Sequence, residues 1–410
     1  MDRVFGNNNA AQFGNNGVAF SGNYGLFWWD KATGIQTLIS HSSASGNLAS
    51  ASTNAVAAKG IANDSSGVVF ESANATQFGN YDQAHSTAVP FTDADTTMAD
   101  LFWWNRNDGT QQLITHGKAS NTGSLATAAS GFDAIASDSS GVIFHNANAT
   151  QFGNGGTGFT DAGTSAQDLF WWDKATGTQT LITHSAASST ASAATQNSTY
   201  VAALPDHSVI FRNNDATAFG NSSGSFTDAS TGVADYFLWD FATGNVRLLT
   251  EGTTANASSG GAYTYNGVSA DGNFLYLTTP NVSLLLGSDG VNANADAATA
   301  IDDIVAVRLS LLDLVTASDN GANVYDNITS LRNIQLNGFV NANESVVLKD
   351  NGVQVGNAVT ANANGVAQFN VTAGVGTHVY TLYDSTTGYQ ITLAAGDLLS
   401  RAAKLTVIGV

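Results

Sequence analysis

One aromatic phrase occurs four times in this chain and contains all seven of its tryptophans. It reads "LFWWDKATG" from Leu26, "LFWWNRNDG" from Leu101, "LFWWDKATG" from Leu169 and, in a weaker form, "YFLWDFATG" from Tyr236. Self-similarity at a nearly fixed period indicates a fold built from repeated supersecondary units. We therefore expect one structural element to recur along most of the chain.

Two further phrases keep the same rhythm and define the repeated unit. "QFGN" begins at Gln12, Gln77 and Gln151 and becomes "AFGN" at Ala218, and phrases such as "SSGVVF" and "SSGVIF" precede it. The sequence and turn residues of each unit predict four strands. The first three are exemplified by 55–62, 67–72 and 100–105 in the second copy, and the fourth by 178–184 in the third copy. No segment between copies has a convincing period of 3.6 residues, so no helical layer is expected.

A four-stranded unit repeated four to five times is typical of a β-propeller. The layout "D-G…VVF…DLFWWD…TG…TLIT" resembles the TolB-type, or WD40-like, propeller repeats of bacteria over about residues 2–312. We predict an all-β chain with a β-propeller of about five four-stranded blades over residues 1–315. The first copy begins at its second strand and should lack an inner strand, and a sixth blade remains an alternative.

The paired tryptophans fit blade packing. Neighbouring side chains of a strand point to opposite faces, so Trp28 and Trp29 cannot form one flat platform. Blades pack face to face, and adjacent large aromatics would make both faces of a blade apolar. The alternative is that the rings stack on a sugar or a peptide at the blade edge.

The charge balance excludes several classes of partner. The formal net charge is −19 with only 13 Lys and Arg, so nucleic acid and anionic lipid are not expected to bind, whereas divalent cations could. The chain has no cysteine, which excludes disulfides and thiolate chemistry. No apolar run is long enough for a membrane span. The polar, lysine-poor composition favours an exported bacterial protein, and since no signal peptide is visible, we expect an excerpt of a larger polypeptide or export without an N-terminal signal.

Recurrent histidines do not predict a zinc site. His41, His116 and His184 occupy equivalent positions after the last strand, and Glu251 replaces them in the fourth copy. Ends of outer strands in separate blades lie too far apart to share one ion, so we expect satisfied surface residues.

The inner strands do not predict an enzyme. Lys59, Asp133, Val201 and Asn266 are the equivalent positions there, and they include no pair of carboxylates of the kind that a glycosidase needs. We therefore predict no catalytic residues, and the sequence assigns no ligand-binding residues. Asp64, Asp138, Asp206 and Asp271 recur in a turn where Asp normally accepts backbone N–H groups.

Paired aspartates recur in the loop before the aromatic strand. They lie seven residues apart in "FTDADTTMAD", "FTDAGTSAQD" and "FTDASTGVAD". Hard oxygen ligands in a loop suit Ca²⁺. The candidate calcium ligands are Asp93, Asp95, Asp100, Asp161, Asp168, Asp228 and Asp235. The alternative is that these side chains accept backbone N–H groups and fix the loop.

The character of the chain changes at residues 316–327, which we predict to be a linker. Residues 328–410 supply about seven short strands, including a hairpin with Asn351-Gly352 at its turn, and predict a β-sandwich. The run from "VVLKDNGVQVG" to "GTHVYTLYD" resembles the bacterial Ig-like domains that occur in tandem in large surface adhesins. That resemblance implies a spacer without catalytic residues.

Together these features predict a non-enzymatic extracellular or cell-surface bacterial module for binding, adhesion or surface assembly. Its interaction face would be the loops at 80–100, 154–168 and 221–235, whose lengths differ between copies. Its partners would be a carbohydrate or protein on a surface, or copies of itself. The alternatives are a self-assembling subunit of a surface layer or filament, and a glycan-acting hydrolase or lyase on a five-bladed propeller.

Overall fold

A computed structural model gives an all-β protein that divides into two compact units. The first unit comprises Met1–Ile182 and Thr190–Ser192, and the second comprises Thr183–Ser189 and Ala193–Val410. The structure describes residues 3–15, 18–43, 51–82, 87–125, 127–163, 165–221, 224–241, 244–252, 254, 256–269, 272–285, 301–309, 312–315, 317–318, 328–340, 343–362, 366–386 and 403–407.

The first unit contains three antiparallel repeat sheets, which we number 1 to 3 in chain order. Sheet 1 has three strands, Arg3–Asn7, Gly25–Trp29 and Gln36–Leu38. Sheet 2 has four, Ala57–Ile61, Gly67–Ser72, Asp100–Asn105 and Gln111–Leu113. Sheet 3 has Gly131–Ile135, Gly141–Asn146, Asp168–Asp173 and Gln179–Leu181. The predicted lack of an inner strand in the first copy is confirmed for the described residues.

Two more repeat sheets lie in the second unit. Sheet 4 has Thr199–Ala203, Val209–Asn213, Asp235–Trp239 and Val246–Leu248. Sheet 5 has Thr264–Val268, Phe274–Thr279 and Asp303–Arg308. Repeated four-stranded antiparallel sheets are confirmed and are consistent with propeller blades.

Short elements decorate these sheets. Each copy carries a 3₁₀ helix whose N-cap side chain accepts an N–H from two residues ahead, which explains the recurrent Asn or Asp before "AT" or "AA". The 3₁₀ helices are Ala10–Gln12, Ala75–Gln77, Ala149–Gln151, Ala216–Ala218 and Val282–Leu284. The short strands are Gly14–Asn15, Val18–Ala19, Gly79–Asp82, Thr87–Pro90, Thr92–Asp93, His116–Gly117, Ser120–Ser124, Gly153–Asn154, Thr157–Gly158, Thr160–Asp161, His184–Ser185, Ser188–Ser192, Gly220–Asn221 and Gly224–Ser225.

Within the first unit the sheets stack through two different faces. We call the face that carries the first tryptophan of a phrase face A, and the face that carries the second tryptophan and the strand phenylalanines face B. Face A of sheet 1, with Trp28, packs on face B of sheet 2, with Trp104. Face A of sheet 2, with Trp103, packs on face B of sheet 3, with Trp172. Adjacent tryptophans therefore point to opposite faces, as predicted, because side chains alternate along a strand.

The C-terminal strands form two sheets around one apolar core. One sheet contains Leu312–Leu314, Asn333–Phe339 and Val366–Thr372. The other contains Ile328–Thr329, Ser345–Asp350, Val353–Thr360, Gly376–Asp384 and Ala403–Val407. Buried side chains of both sheets, including Leu336 and Leu382, share a single core, which is a sandwich-like arrangement.

The predicted hairpin of this region is present. Asn351 and Gly352 have φ of 49° and 82°, as the two central residues of a type I′ turn require. Leu312–Leu314, which we placed in the repeat region, pairs with Asn333–Phe339 of the sandwich instead. The predicted linker lies outside the described residues except for 317–318, so its boundary at 327 stays a prediction. No helix among the described residues is long and apolar enough to cross a membrane.

Candidate functional site

The strongest candidate for an interaction site is the edge of each repeat sheet where the second strand leads into the aromatic strand. The "FGN" phrase there starts a short hairpin whose base is held firmly in the second and third copies. Asn80 donates from Nδ2 to the carbonyl of Gln111 at 2.9 Å, and its Oδ1 accepts the N–H of Gln111 at 2.9 Å. Asn154 makes the same two bonds with Gln179. This amide pairing explains why the asparagine recurs.

Gln111 and Gln179 extend this frame to the preceding sheet, a role that the sequence analysis missed. The side-chain Oε1 of Gln111 accepts the N–H of Gly79, and its Nε2 donates to the carbonyl of Ile39 at 2.8 Å. Gln179 repeats this with Gly153 and Ile114. The glutamine that follows "GT" in both copies was the available signal.

The hairpin above this frame differs between copies. It spans Gly79–Pro90 in the second copy, but only Gly153–Gly158 in the third. Loops that vary on a constant scaffold are common positions for binding residues. The edge therefore combines a rigid base with variable tips.

The first aspartate of each pair fixes the loop. Asp93 accepts the N–H of Ala75 through Oδ2 at 2.7 Å and that of Asp95 through Oδ1 at 2.9 Å. Asp161 and Asp228 each accept the two equivalent N–H groups. These carboxylates tie the loop to the start of the 3₁₀ helix, where backbone N–H groups need acceptors.

The second aspartate of each pair is buried beneath the loop. Asp100 is fully buried, and its Oδ1 accepts hydrogen bonds from Thr115 at 2.8 Å and Ser124 at 2.7 Å. Asp168 accepts from Ser192 at 2.6 Å, and Asp235 accepts from Thr250 at 2.8 Å. No described group donates to Oδ2 of Asp100.

Burial makes two of these carboxyls, those of Asp100 and Asp235, weaker acids than an exposed aspartate. It raises the pKa of Asp100 to about 7, opposed by the hydrogen bonds from Ser124 and Thr115 and assisted by the negative charge of Asp93. Burial likewise raises the pKa of Asp235 to about 7; Thr250 opposes this shift and Asp228 assists it. Two of the pairs, Asp93 with Asp100 and Asp228 with Asp235, therefore bring two carboxylates close enough to interact.

The candidate calcium ligands occupy three kinds of position: the first aspartate of each pair fixes the loop, the second is buried beneath it, and Asp95 lies apart from both. Asp95 does not join the buried pair, since its Oδ1 accepts hydrogen bonds from Thr97, which hold the pKa of that carboxyl below its usual value. In the described part of the chain, no three or more His, Cys, Asp or Glu side chains are grouped so that they could hold a metal ion. A calcium ion would take two carboxylates and further oxygens at each loop, and the site stays a prediction.

The histidines are buried, so their assignment as surface residues was wrong. The Nε2 of His41 donates to the carbonyl of Gly109 at 2.8 Å, and that of His116 donates to Gly177 at 2.8 Å. His184 makes the equivalent bond with Gly244. Each histidine thus donates to the glycine at the end of the turn that follows the aromatic strand of the next copy. That glycine lies 60 to 68 residues later in the chain, so the sequence alone did not indicate the partner.

All four inner-strand positions are bulge residues. Lys59, Asp133, Val201 and Asn266 each lie where the register shifts between the first and second strands. The second strand supplies a titratable partner in two sheets. Lys59 pairs with Glu71 at 2.9 Å, and Asp133 pairs with His145 at 3.0 Å. Glu71 and His145 occupy equivalent positions on the second strand, and an alignment of the second strands was the signal that could have identified them.

The turn aspartates act as expected where the structure describes them. Asp64, Asp138 and Asp206 each accept the N–H of the serine two residues ahead, whereas Asp271 lies outside the described residues.

The tryptophans are packing residues at most positions. Trp103, Trp104, Trp171, Trp172 and Trp239 are at most 2 % exposed, so they cannot stack on a ligand from solvent. Cationic side chains cover two of the first tryptophans, with Arg106 over Trp28 and Lys174 over Trp103. Trp29 is partly exposed and is the exception.

Comparisons with known proteins identify no sequence family. No family model matches the chain, and no curated protein matches it. Among solved structures, it is distantly similar to the tricorn protease, with a TM-score of 0.29 and 11 % sequence identity. The match covers 93 % of this chain and only 38 % of the protease chain.

Proposed function

We propose that this protein is a non-enzymatic extracellular bacterial surface module that binds a carbohydrate or protein, or assembles on a surface. The variable hairpins and aspartate loops of its repeat sheets would be its interaction face. We also propose that the repeat sheets are blades of a β-propeller of about five blades, followed by an Ig-like sandwich.

One observation carries this proposal: hairpins of different length stand on the same hydrogen-bonded base. The paired bonds of Asn80 with Gln111 and of Asn154 with Gln179 are identical in pattern, while the hairpins above them are not. The hydrogen-bonded base therefore positions the tip of each hairpin, whatever the sequence of that tip. The recurrent histidines and first aspartates, by contrast, make backbone hydrogen bonds, and every tryptophan except Trp29 is buried in packing contacts.

Calcium is the cofactor that this proposal includes. Asp93 with Asp100, and Asp228 with Asp235, form interacting carboxylate pairs beside the hairpins. A cation there would relieve the repulsion and would compete with the proton on the buried carboxyl. Scanning calorimetry with Ca²⁺ and with EDTA tests this, and we expect Asp100→Asn to reduce any calcium-dependent rise in Tm.

Hairpin exchange tests the binding function. Residues 79–90 are replaced by the sequence of 153–158, which leaves the Asn and Gln base in place. Wild type and variant are compared on a glycan array and on immobilised bacterial surface polymers. We expect lost or altered binding with an unchanged Tm.

A turn at the opposite end of the aromatic strand provides the matched control. There Arg106, Asn107 and Asp108 are changed to the Lys-Ala-Thr found in the third copy, and binding should persist. Equal binding by the hairpin variant would contradict the proposed face. Release of new reducing ends from a bound glycan would contradict the non-enzymatic assignment and favour the hydrolase alternative.

A further inference from the structure

The repeat sheets stack with one fixed polarity. Face A of sheet 1 lies on face B of sheet 2, and face A of sheet 2 lies on face B of sheet 3. In the second unit, Ile210 and Leu238 from face A of sheet 4 pack on Leu275 and Leu277 from face B of sheet 5. Every described contact between successive sheets within a unit is therefore an A face against a B face.

Face B of sheet 1 is apolar and is not fully covered. Phe5, Phe13, Phe20 and Trp29 are partly exposed there. Their equivalents in sheet 2 are buried under the preceding sheet: Phe70, Phe78, Phe91 and Trp104. Four aromatic rings of the first sheet thus lack the cover that the same rings have in the next copy.

Face A of sheet 5 is also left open. The second strand of sheets 2 and 3 is buried on both faces, whereas Phe274–Thr279 alternates between buried and exposed residues. Its exposed side carries Tyr276, which is 36 % exposed, and Ile304 on the neighbouring strand, which is 74 % exposed. Ile304 occupies the position of Leu101, which is fully buried in sheet 2.

We infer that face A of sheet 5 binds face B of sheet 1 of a second copy of this chain. The two faces have the same polarity as each internal contact; face B of sheet 1 is partly exposed, and face A of sheet 5 carries the exposed Ile304 and Tyr276. Repeat arrays normally end in units with a polar outer face, because an apolar end associates. A contact between two different faces is heterologous, so it generates a closed ring or an open filament of copies. This inference rests on the assembly part of the proposed function and names its surfaces, and it requires that the five blades of one chain do not close into a ring by themselves.

Sedimentation velocity over a concentration series of the full chain, in EDTA and 0.5 M NaCl, tests the contact. Because the contact is apolar, wild type should at least double its weight-average mass as concentration rises, even without divalent cations. Ile304→Lys should remain at the monomer mass. Val353→Lys is the matched control, since Val353 is 70 % exposed in the sandwich, and it should associate like wild type.

A mixing experiment tests the head-to-tail polarity. The Ile304→Lys chain keeps an intact face B and should cap wild-type assemblies, which lowers their mass in proportion to the amount added. Trp29→Lys blocks the other face. It should be monomeric alone and should form a one-to-one dimer with Ile304→Lys.

Three results would each overturn the inference. One is wild type that stays monomeric at every concentration, as it would if the two faces met within one chain. Another is self-association of Ile304→Lys equal to that of wild type. The third is a failure of Ile304→Lys to shorten wild-type assemblies, which would indicate a contact between like faces. Should Trp29→Lys fail to fold, the capping experiment still decides the polarity.

Glycan and polymer binding, measured on both wild type and Ile304→Lys, separates this inference from the proposed function. If both proteins bind a ligand but wild type does not assemble, the inference alone is refuted. Assembly without any binding refutes the ligand-binding part alone.

Discussion

Trp103 packs against Trp172, with ring centroids 6.4 Å apart and planes inclined by 39°. One ring is the first tryptophan of its phrase and the other is the second tryptophan of the next. Trp28 and Trp104 meet in the same way, at 6.1 Å. The doubled tryptophan of sheet 2 therefore serves two contacts, Trp103 towards sheet 3 and Trp104 towards sheet 1.

Truncation of one such ring should be costly. We expect Trp172→Ala to lower the free energy of unfolding by about 3–5 kcal/mol, because it leaves a cavity in a fully packed contact. Trp29→Ala, at a partly exposed ring, is the control and should cost less than half as much. Urea unfolding followed by circular dichroism measures both. Equal losses would contradict the packing role.

A second prediction concerns two side chains that share one space, one on the second strand and one on the aromatic strand of each sheet. A Cβ on Gly67 or Gly141 would lie within 2.4 Å of the ring of Trp103 or Trp171. In the fourth sheet the equivalent residues are Ser208 and Leu238, and in the fifth they are Phe274 and Ala306. A larger residue on the second strand accompanies a smaller one on the aromatic strand, so the pair fills a nearly constant space.

Gly141→Ser and Trp171→Leu should therefore be coupled. Each alone should destabilise the protein by about 1–3 kcal/mol, through overpacking or a cavity. The double variant copies the fourth sheet and should cost at least about 1 kcal/mol less than the sum of the two. A double-mutant cycle in urea measures the coupling, and strict additivity would refute the compensation.

Much of this architecture could be predicted because it depends on local periodicity. The alternation around Trp28 and Trp29, the four-strand unit and the missing first strand all follow from neighbouring residues. The partners of His41 and His116 could not be predicted, since they lie more than 60 residues away and depend on how the sheets stack. The stacking of the sheets buries these histidines, whereas their position at the end of a strand had indicated that they lie at the surface.

The aspartate loops show the same limit. A spacing of seven residues indicated a pair of carboxylates, but not that Asp93 would fix the loop while Asp100 is buried beneath it. The difference arises because the loop folds back onto the 3₁₀ helix at Ala75–Gln77 and because Thr115 and Ser124 come from later segments. Only the folded chain brings these groups together.

The histidine contacts predict a graded loss of stability. His116→Ala should lower the free energy of unfolding by about 1–3 kcal/mol, since the partly buried carbonyl of Gly177 loses its donor and the buried ring leaves a cavity. His116→Gln can donate from its amide and should recover part of that loss. Thermal and urea unfolding of the two variants test this. A glutamine variant no better than alanine would show that ring packing, rather than the hydrogen bond, matters.

The buried aspartate predicts an unusual dependence of stability on pH. Because the pKa of Asp100 is raised to about 7 in the folded protein, the folded state binds a proton that the unfolded state releases between about pH 4 and pH 7. The contribution of Asp100 is therefore fully present below about pH 4 and is lost as pH rises through about 7. Asp93, Thr115 and Ser124 are the groups that face it.

Asp100→Asn should remove this contribution. Relative to wild type, the variant should gain on the order of 1–4 kcal/mol of stability between pH 5 and pH 8 in EDTA. Asp302→Asn, at an exposed carboxylate, is the control and should run parallel to wild type. The buried His41 has a lowered pKa and favours higher pH, so the difference between variant and wild type is the informative quantity. Parallel curves for Asp100→Asn and wild type would show that this carboxyl titrates alike in the folded and unfolded states.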